Sequence, residues 1–237
     1  MELIYLKDSY KTELSTKVVD IDSELNALRV QSTIFYPGGG GQPSDQGSIN
    51  FENEECEILR IEKTGNQTWY VLNGSKLPEI GSEVTMKIDW DRRYKLMRTH
   101  TAMHILCGVI WRDYKAQVTG GNMEPLNGRM DFEFENMNRD LVDEIEKKIN
   151  EEVEKGRKIE IDIHPRSEAN KIPDLIRTKV NLLPPGLTEI RTVNIKGLDL
   201  QADGGTHVNK TSEVGRIRIT EYKSKGRINK RVKIQLD

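Results

Sequence analysis

Cysteine is almost missing from this chain: of 237 residues only Cys56 and Cys107 carry a thiol, far apart and in unrelated contexts. That excludes a disulfide scaffold and points to a reducing compartment. Long apolar runs are missing too. No stretch reaches the roughly 18 uninterrupted apolar residues of a membrane span, and the start, "MELIYLKDSYKTELS", has charges every few residues where a secretory leader needs an apolar core. A soluble, cytosolic protein with no membrane partner is expected. An excess of one charge sign is also lacking, since 36 Lys plus Arg nearly cancel 38 Asp plus Glu to leave a net charge of -2. No global field draws such a chain to nucleic acid, so local clustering has to decide that question. Length, by contrast, is sufficient: a chain of this size buries a core without needing a metal merely to fold.

What is present changes character along the chain. Residues 1–88 are rich in short strand-like runs, "TKVVDID", "NALRVQSTIFYP", "CEILRIEKTG", "QTWYVLNG" and "SEVTMKID", separated by Gly, Asn, Asp and Pro. Such spacing predicts a small antiparallel β-barrel or sandwich. From Trp90 to Trp111, Leu96, Met97, His100, Met103, His104 and Cys107 recur at intervals of three and four with no Gly or Pro before Gly108. That predicts a helix with one buried face, N-capped by Asp89. A second helix is predicted in "NRDLVDEIEKKINEEVEKGRK", where Leu141, Ile145, Ile149 and Val153 step by four and the many charges make a solvated face. "RMDFEF", "KIEIDIHP", "EIRTVNIKGLDL" and "GRIRITEYKSKGRINKRVKIQLD" read as strands. The expected fold class is α+β: a small antiparallel β-barrel domain over residues 1–88, then an α+β domain over residues 89–237 whose histidine-bearing helix packs on an antiparallel sheet.

The last segment gathers Arg216, Arg218, Lys223, Lys225, Arg227, Lys230, Arg231 and Lys233 against Glu221 and Asp237. A hairpin turning near "KSKGR" would put several of these cations on one face. They would serve to neutralise phosphates or simply to keep an exposed strand soluble.

Histidine is scarce, four residues in all, and two of them sit in "RTHTAMH". Residues four apart on a helix are neighbours, with Cβ atoms about 5 to 6 Å apart, so the imidazoles of His100 and His104 can converge on one ion. The stretch "LQADGGTHVN", residues 200–209, offers Asp203 and His207 at the same spacing beside two glycines. It suits a ligand pair, and it equally suits an ordinary tight turn. Cys107 lies seven residues past His100, roughly 10 Å further along the helix axis at 1.5 Å per residue. It is read as core packing. His164, before Pro165 at a strand end, has no evident partner.

His-x-x-x-His on a helix, followed about a hundred residues later by Cys-x-Gly-Thr-His in a loop, is the zinc-binding pattern of the editing domains of alanyl- and threonyl-tRNA synthetases. This chain resembles it through "RTHTAMH" and "GGTHV", and through "TIFYPGGGGQPSDQG", residues 33–47, which is similar to the glycine-rich stretch of alanyl-type editing domains. The order of these segments covers nearly all of the chain and resembles the free-standing alanyl-tRNA editing proteins of medium length, the AlaX group. The resemblance implies one zinc ion on His100, His104, Asp203 and His207. Asp203 stands at the family's cysteine position; a carboxylate is still a zinc ligand type but a harder one, so preference among divalent ions should relax.

The resemblance further implies hydrolysis of the ester joining serine or glycine to the alanine tRNA, in trans, by a metal-dependent deacylase. The alternative is a tRNA-binding homologue with a degenerate metal site and no turnover. Candidates to read the substrate are Gln42, Gln117 and Thr119, the last two in "AQVTGGN", and Thr206. Gly39, Gly40 and Gly41 would let backbone approach closely, and Arg92, Arg93, Arg98, Arg227 and Lys230 would hold the tRNA.

Overall fold

The alternating pattern of the N-terminal segment becomes a closed antiparallel barrel in the computed structural model, which describes residues 1–65, 67–74, 76–178, 183 and 186–237. Its first unit holds residues 1–39 and 43–94. The strands are β1 (Glu2–Leu3), β2 (Glu13–Asp22), β3 (Ala27–Val30), β4 (Ser32–Thr33), β5 (Gly47–Phe51), β6 (Glu54–Thr64), β7 (Gln67–Leu72) and β8 (Glu83–Ile88). β1 and β4 form a short parallel pair, and the barrel closes in the order β2-β3-β7-β6-β5-β8. On β8 the alternation is plain, with Val84, Met86 and Ile88 buried and the residues between them not. They join Leu28, Val30, Ile49, Phe51, Tyr70 and Leu72 in the barrel core.

β5, "GSINF", is a strand that the sequence reading did not anticipate, yet it closes the barrel by pairing with both β6 and β8. Gly47 at its start is required by close approach: a Cβ there would lie 2.1 Å from the Lys87 carbonyl oxygen.

Arg93 corrects an expectation. Expected at a tRNA-contacting surface, its side chain is instead wholly buried in this unit. It donates to Asp45 through Nε at 2.8 Å and also through Nη2, and to the carbonyls of Ser9 and Ile34 at 2.9 and 2.6 Å. A guanidinium that spends four of its five N–H donors on these buried partners and exposes no surface does not reach a phosphate. Arg92 is half-buried, and its amide bonds Asp89 Oδ1 at 3.1 Å, the cap expected of the helix start.

The second unit holds residues 40–42 and 95–237. Helix α1 (Trp90–Tyr114) enters it from the first unit and is followed by β9 (Val118–Glu124), β10 (Asn127–Glu133), α2 (Arg139–Glu154), β11 (Ile159–Pro165), α3 (Arg166–Ala169), β12 (Glu189–Ile195), β13 (Asp199–Ala202), β14 (Ile217–Ser224) and β15 (Asn229–Leu236). Two antiparallel sheets result, β14-β15-β10-β9 and β11-β12-β13.

Where one buried face was expected for α1, every residue from Thr99 to Ile110 is buried. The four-stranded sheet lies against one side: Cβ atoms built at Gly121 and Gly128 would fall 3.3 and 3.2 Å from Met103. The turn before β13 lies against another, where a Cβ on Gly108 would fall 2.9 Å from Leu198 and 3.0 Å from Asp199. A helix enclosed on several sides loses its polar face.

α2 begins at Asn138, whose side chain accepts from the Leu141 amide at 2.9 Å. Its buried stripe is Val142, Ile145, Ile149 and Val153 rather than one starting at Leu141, which is only half-buried. The helix also satisfies the outer edge of β14, through Asn150 to both polar groups of Ile217 and through Glu146 to the Ile219 amide.

One charge of α2 leaves the expected solvated face. Glu152 is 1% exposed and paired with Arg112 (2.7 Å), Lys155 (2.9 Å) and Arg157 (2.5 Å). Burial opposes its ionisation, but the hydrogen bonds from Lys155, Arg157 and Arg112 prevail and hold it at about 2 against an ordinary 4.5. A depressed carboxylate stabilises the fold above its unfolded value and loses that contribution as pH falls from about 4.5 to about 2. At 1.36 kcal/mol per pH unit over the span from 4.5 to about 2, Glu152→Gln should cost up to about 3 kcal/mol at pH 7. Denaturant titrations of both proteins should show that difference shrinking as the pH approaches 2; a gap of constant size would contradict the assignment.

The basic tail forms the predicted hairpin, but its cations divide. Arg227 is exposed at the tip. Lys230, expected to contact tRNA, is 6% exposed and donates to the carbonyls of Gly226 and Arg227 at 2.9 and 2.8 Å, so it fastens the turn instead. Arg98 likewise donates to the carbonyls of Val214 and Asp237 rather than facing outward. Among the described residues, no helix is long and apolar enough to cross a membrane.

Candidate metal centre

One turn of α1 separates His100 from His104 and sets their ring centroids 5.1 Å apart. The loop after β13 returns to this face with Asp203 and His207. The His207 ring stacks on His100 at 4.2 Å and meets His104 edge-on at 4.7 Å. Donor atoms of all four residues lie within 4.8 Å of one another. His164, on β11 opposite Ile190, is not among them.

Each imidazole is fixed from behind. His100 Nδ1 lies 2.9 Å from Gln42 Oε1, His104 Nδ1 3.0 Å from Asp199 Oδ2, and His207 Nδ1 3.2 Å from Thr101 Oγ1. The amide oxygen behind His100 and the carboxylate behind His104 accept from Nδ1 and so leave Nε2 with its lone pair, whereas the Thr101 hydroxyl behind His207 can donate or accept. His100 Nε2 and His207 Nε2 face Asp203, 3.5 Å from Oδ1 and 3.0 Å from Oδ2.

The loop owes its path to its second glycine. The Gly205 amide donates to Asp203 Oδ2 at 2.7 Å, and a Cβ on Gly205 would lie 2.4 Å from His100 Cε1 and 2.7 Å from Gln42 Oε1. Arg191 on β12 holds Asp203 from the other side, donating to its carbonyl at 2.8 Å, with Nη1 3.7 Å from Oδ2. Gln42 clamps the loop: Oε1 accepts from the Thr206 amide at 3.1 Å, and Nε2 donates to Thr206 Oγ1 at 2.9 Å.

Protonation follows burial and neighbours. Burial drives His100 well below the usual histidine value and pushes His207 down to about 4. Burial works the same way on His104, but its hydrogen bond to Asp199 and the nearby carboxylates outweigh it and the value rises. Burial also opposes the Asp203 carboxylate, yet the surrounding histidines hold it well below the ordinary carboxylate range. Neutral imidazoles at His100 and His207 beside an ionised carboxylate are the forms in which these groups donate to a cation. Three nitrogens and one oxygen suit zinc, and the carboxylate admits harder divalent ions as well.

Of the residues assigned from sequence, Gln42 and Thr206 join the four ligands here, and both are buried. Gln117 and Thr119 stand at and just before the start of β9 and are not among the groups around the four candidate ligands: Gln117, immediately before the strand, accepts from the Glu133 amide through its backbone carbonyl at 3.0 Å, and Thr119 in the strand donates to Asn229 Oδ1 at 2.9 Å. Gly40 is exposed, whereas Gly41, with φ +92°, approaches β9, and a Cβ there would fall 3.0 Å from the Gly121 carbonyl. Gly39, in the first unit, accepts from the Tyr36 hydroxyl at 2.8 Å. Cys107 is buried and supplies no ligand; the Gln201 amide points to its sulfur at 3.4 Å.

Sequence reasoning missed Asp199, Thr101, Arg191 and Gly205. An acid in the otherwise apolar "GLDL" and a Thr between the two helix histidines were the available signals.

The chain is similar over nearly its whole length to known proteins. Residues 190–233 match the family described as the threonyl and alanyl tRNA synthetase second additional domain, and residues 6–92 match class II (A) tRNA synthetases. The alanyl-tRNA editing protein AlaX-M of Saccharolobus solfataricus is 36% identical over 233 residues, 98% of this chain and 97% of that protein. The AlaX-M protein of Methanosarcina barkeri is 32% identical over 236 residues, with 98% and 97% covered. The alanine–tRNA ligase of Pyrobaculum neutrophilum is 33% identical over 226 residues, 92% of this chain but 25% of the ligase.

Proposed function

This chain belongs to the AlaX-M family of alanyl-tRNA editing proteins, and on that premise we propose that it hydrolyses, in trans, the ester linking serine or glycine to the 3' end of the alanine tRNA. The observation that carries the reading is the convergence of His100, His104, Asp203 and His207 within 4.8 Å, on side chains whose outward nitrogens are already engaged. These four would hold one zinc or another divalent ion. Such an ion supplies Lewis acidity to an ester carbonyl or lowers the pKa of a water molecule.

The remaining work falls to the chain's own groups. An aminoacyl ester is already reactive, so positioning counts for more than a strong nucleophile. Thr206 Oγ1 accepts from Gln42, which leaves its own proton available to donate, and Gln42 is locked by three hydrogen bonds of its own. Together they form a short polar edge suited to a small hydroxylated side chain. A site built to bond a hydroxyl discriminates strongly against alanine, which lacks it. Arg92, Arg227 and the Gly39 to Gly41 backbone are the proposed contacts to the acceptor stem.

The test is release of amino acid from alanine tRNA charged separately with serine, glycine and alanine, using protein as purified and protein stripped by chelator. Serine, which carries the hydroxyl, should be released at least about 100-fold faster than alanine, and stripping should abolish release of serine and of glycine alike until zinc is restored. Binding of tRNA without release, even with zinc in excess, would favour the non-catalytic homologue instead.

A further inference from the structure

Two carboxylate–arginine pairs lie at the candidate metal centre, one half-buried and one buried. Asp203 is itself a ligand and lies 3.7 Å from Arg191 Nη1. Asp199 is not a ligand, is 3% exposed, and lies 3.5 Å from Arg177 Nη1. The Asp199 carboxylate is divided between two roles: Oδ2 accepts from His104 Nδ1 at 3.0 Å and from the Gln201 amide at 2.7 Å, while Oδ1 faces Arg177 with no hydrogen bond among the described residues. Arg177 is held in place by Trp111, over whose ring its guanidinium lies at 5.0 Å, and by the Asp174 carbonyl, to which Nε donates at 2.8 Å. The other two histidines have neutral partners behind them, an amide oxygen for His100 and a hydroxyl for His207. His104 is therefore distinguished by a charged group at its back.

We infer that Asp199 is a positioning residue that fixes His104 and strengthens it as a donor, and that Arg177 acts against it by drawing on the same carboxylate, so that the pair sets how tightly the site holds its ion. A carboxylate behind an imidazole orients the ring and raises its basicity towards the ion in front. A buried cation nearby has the opposite sign: it repels a divalent ion directly and competes for the carboxylate's charge. The contact between Arg177 and Asp199 is electrostatic without a hydrogen bond, so removing the arginine's charge leaves the bonds from His104 and Gln201 to Asp199 in place. The inference rests on the divalent-ion reading of the four ligands.

The two members of the pair should consequently shift metal affinity in opposite directions, which a purely structural pair would not do. The full chain is stripped by chelator, and zinc is titrated back against a competing chromogenic chelator. Asp199→Asn, which keeps the shape and removes the charge, should weaken zinc binding about 10- to 100-fold. Arg177→Met, which preserves an apolar contact with Trp111, should tighten it by about threefold or more. Arg177→Gln serves the same purpose should the methionine variant fail to fold, and thermal melts of the stripped proteins verify folding. Loading with cobalt gives a second readout: the visible absorption of the bound ion should move in Asp199→Asn, because the donor strength of one ligand has changed. Equal weakening in both variants, or unaltered affinity and spectrum in Asp199→Asn, overturns the inference while leaving the metal reading intact. Failure of the wild-type chain to take up either zinc or cobalt overturns both.

Discussion

Replacing His104 by alanine should lower the release of serine or glycine from mischarged tRNA by roughly a thousandfold and leave the purified protein with almost no bound metal. His104 meets the edge of His207, lies one turn from His100, and is backed by Asp199. The substitution removes one of four donors and also leaves the Asp199 carboxylate buried without its histidine, a penalty that falls on the same wall of the site. A catalytic ion is worth several kcal/mol of transition-state stabilisation, and each 1.36 kcal/mol is a factor of ten in rate, which gives the expected magnitude. Elemental analysis, deacylation assays and a circular dichroism spectrum on one preparation separate loss of metal from loss of fold. His164→Ala provides a matched control, since that residue stands outside the ligand set. Full activity in a metal-free His104→Ala protein would show that the hydrolysis does not run through this centre.

Adding a single methyl group at Gly205 should do nearly as much damage without touching a ligand. A Cβ there would sit 2.4 Å from His100 Cε1, 2.5 Å from His100 Nδ1 and 2.7 Å from Gln42 Oε1. Real Cβ atoms do not approach so closely, so either the loop bearing Asp203 and His207 moves outward or the His100 ring rotates away from Gln42. Both partners are buried and held by hydrogen bonds, so neither shift is free. Overpacking a buried site costs about 1 to 3 kcal/mol in stability. The geometric consequence is larger, because displaced ligands lose metal affinity at least as readily as ligands whose supporting partners are removed, about 10- to 100-fold. Gly204→Ala is the comparison: nothing lies within 4 Å of a Cβ at that position. Zinc titration of the two variants should separate them by an order of magnitude or more, and equal affinities would mean that the loop accommodates the methyl group elsewhere.

The features legible before folding were those that backbone geometry makes local. A helix has 3.6 residues per turn wherever it occurs, so His100 and His104 had to share a face once the segment was recognised as helical. The same holds for the alternation on β8 and for the Asp89 cap, both of which stand as expected. The barrel was anticipated without one of its strands, because "GSINF" is short and its pairing with β6 and β8 is non-local. The burial of Thr99 to Ile110 on all sides was likewise hidden, since a run of apolar residues and small side chains does not state how many neighbours will pack on it.

Charged side chains divide most sharply. Arg93, Lys230 and Glu152 read in sequence as Arg227 does, as soluble ions, because the residue type specifies the charge but not its surroundings. Only the folded chain shows Asp45 beside Arg93, two carbonyls beneath Lys230 and three cations around Glu152.

By itself, the sequence determined the ligand types and their paired spacing: two histidines a helical turn apart, and a carboxylate and a histidine in a glycine loop. The tertiary structure alone decided which groups stand behind them. Gln42 reaches Thr206 across 164 positions of chain and Asp199 reaches His104 across 95, separations over which no periodicity carries information. A donor's strength depends on the partner at its back, and that partner is chosen by packing.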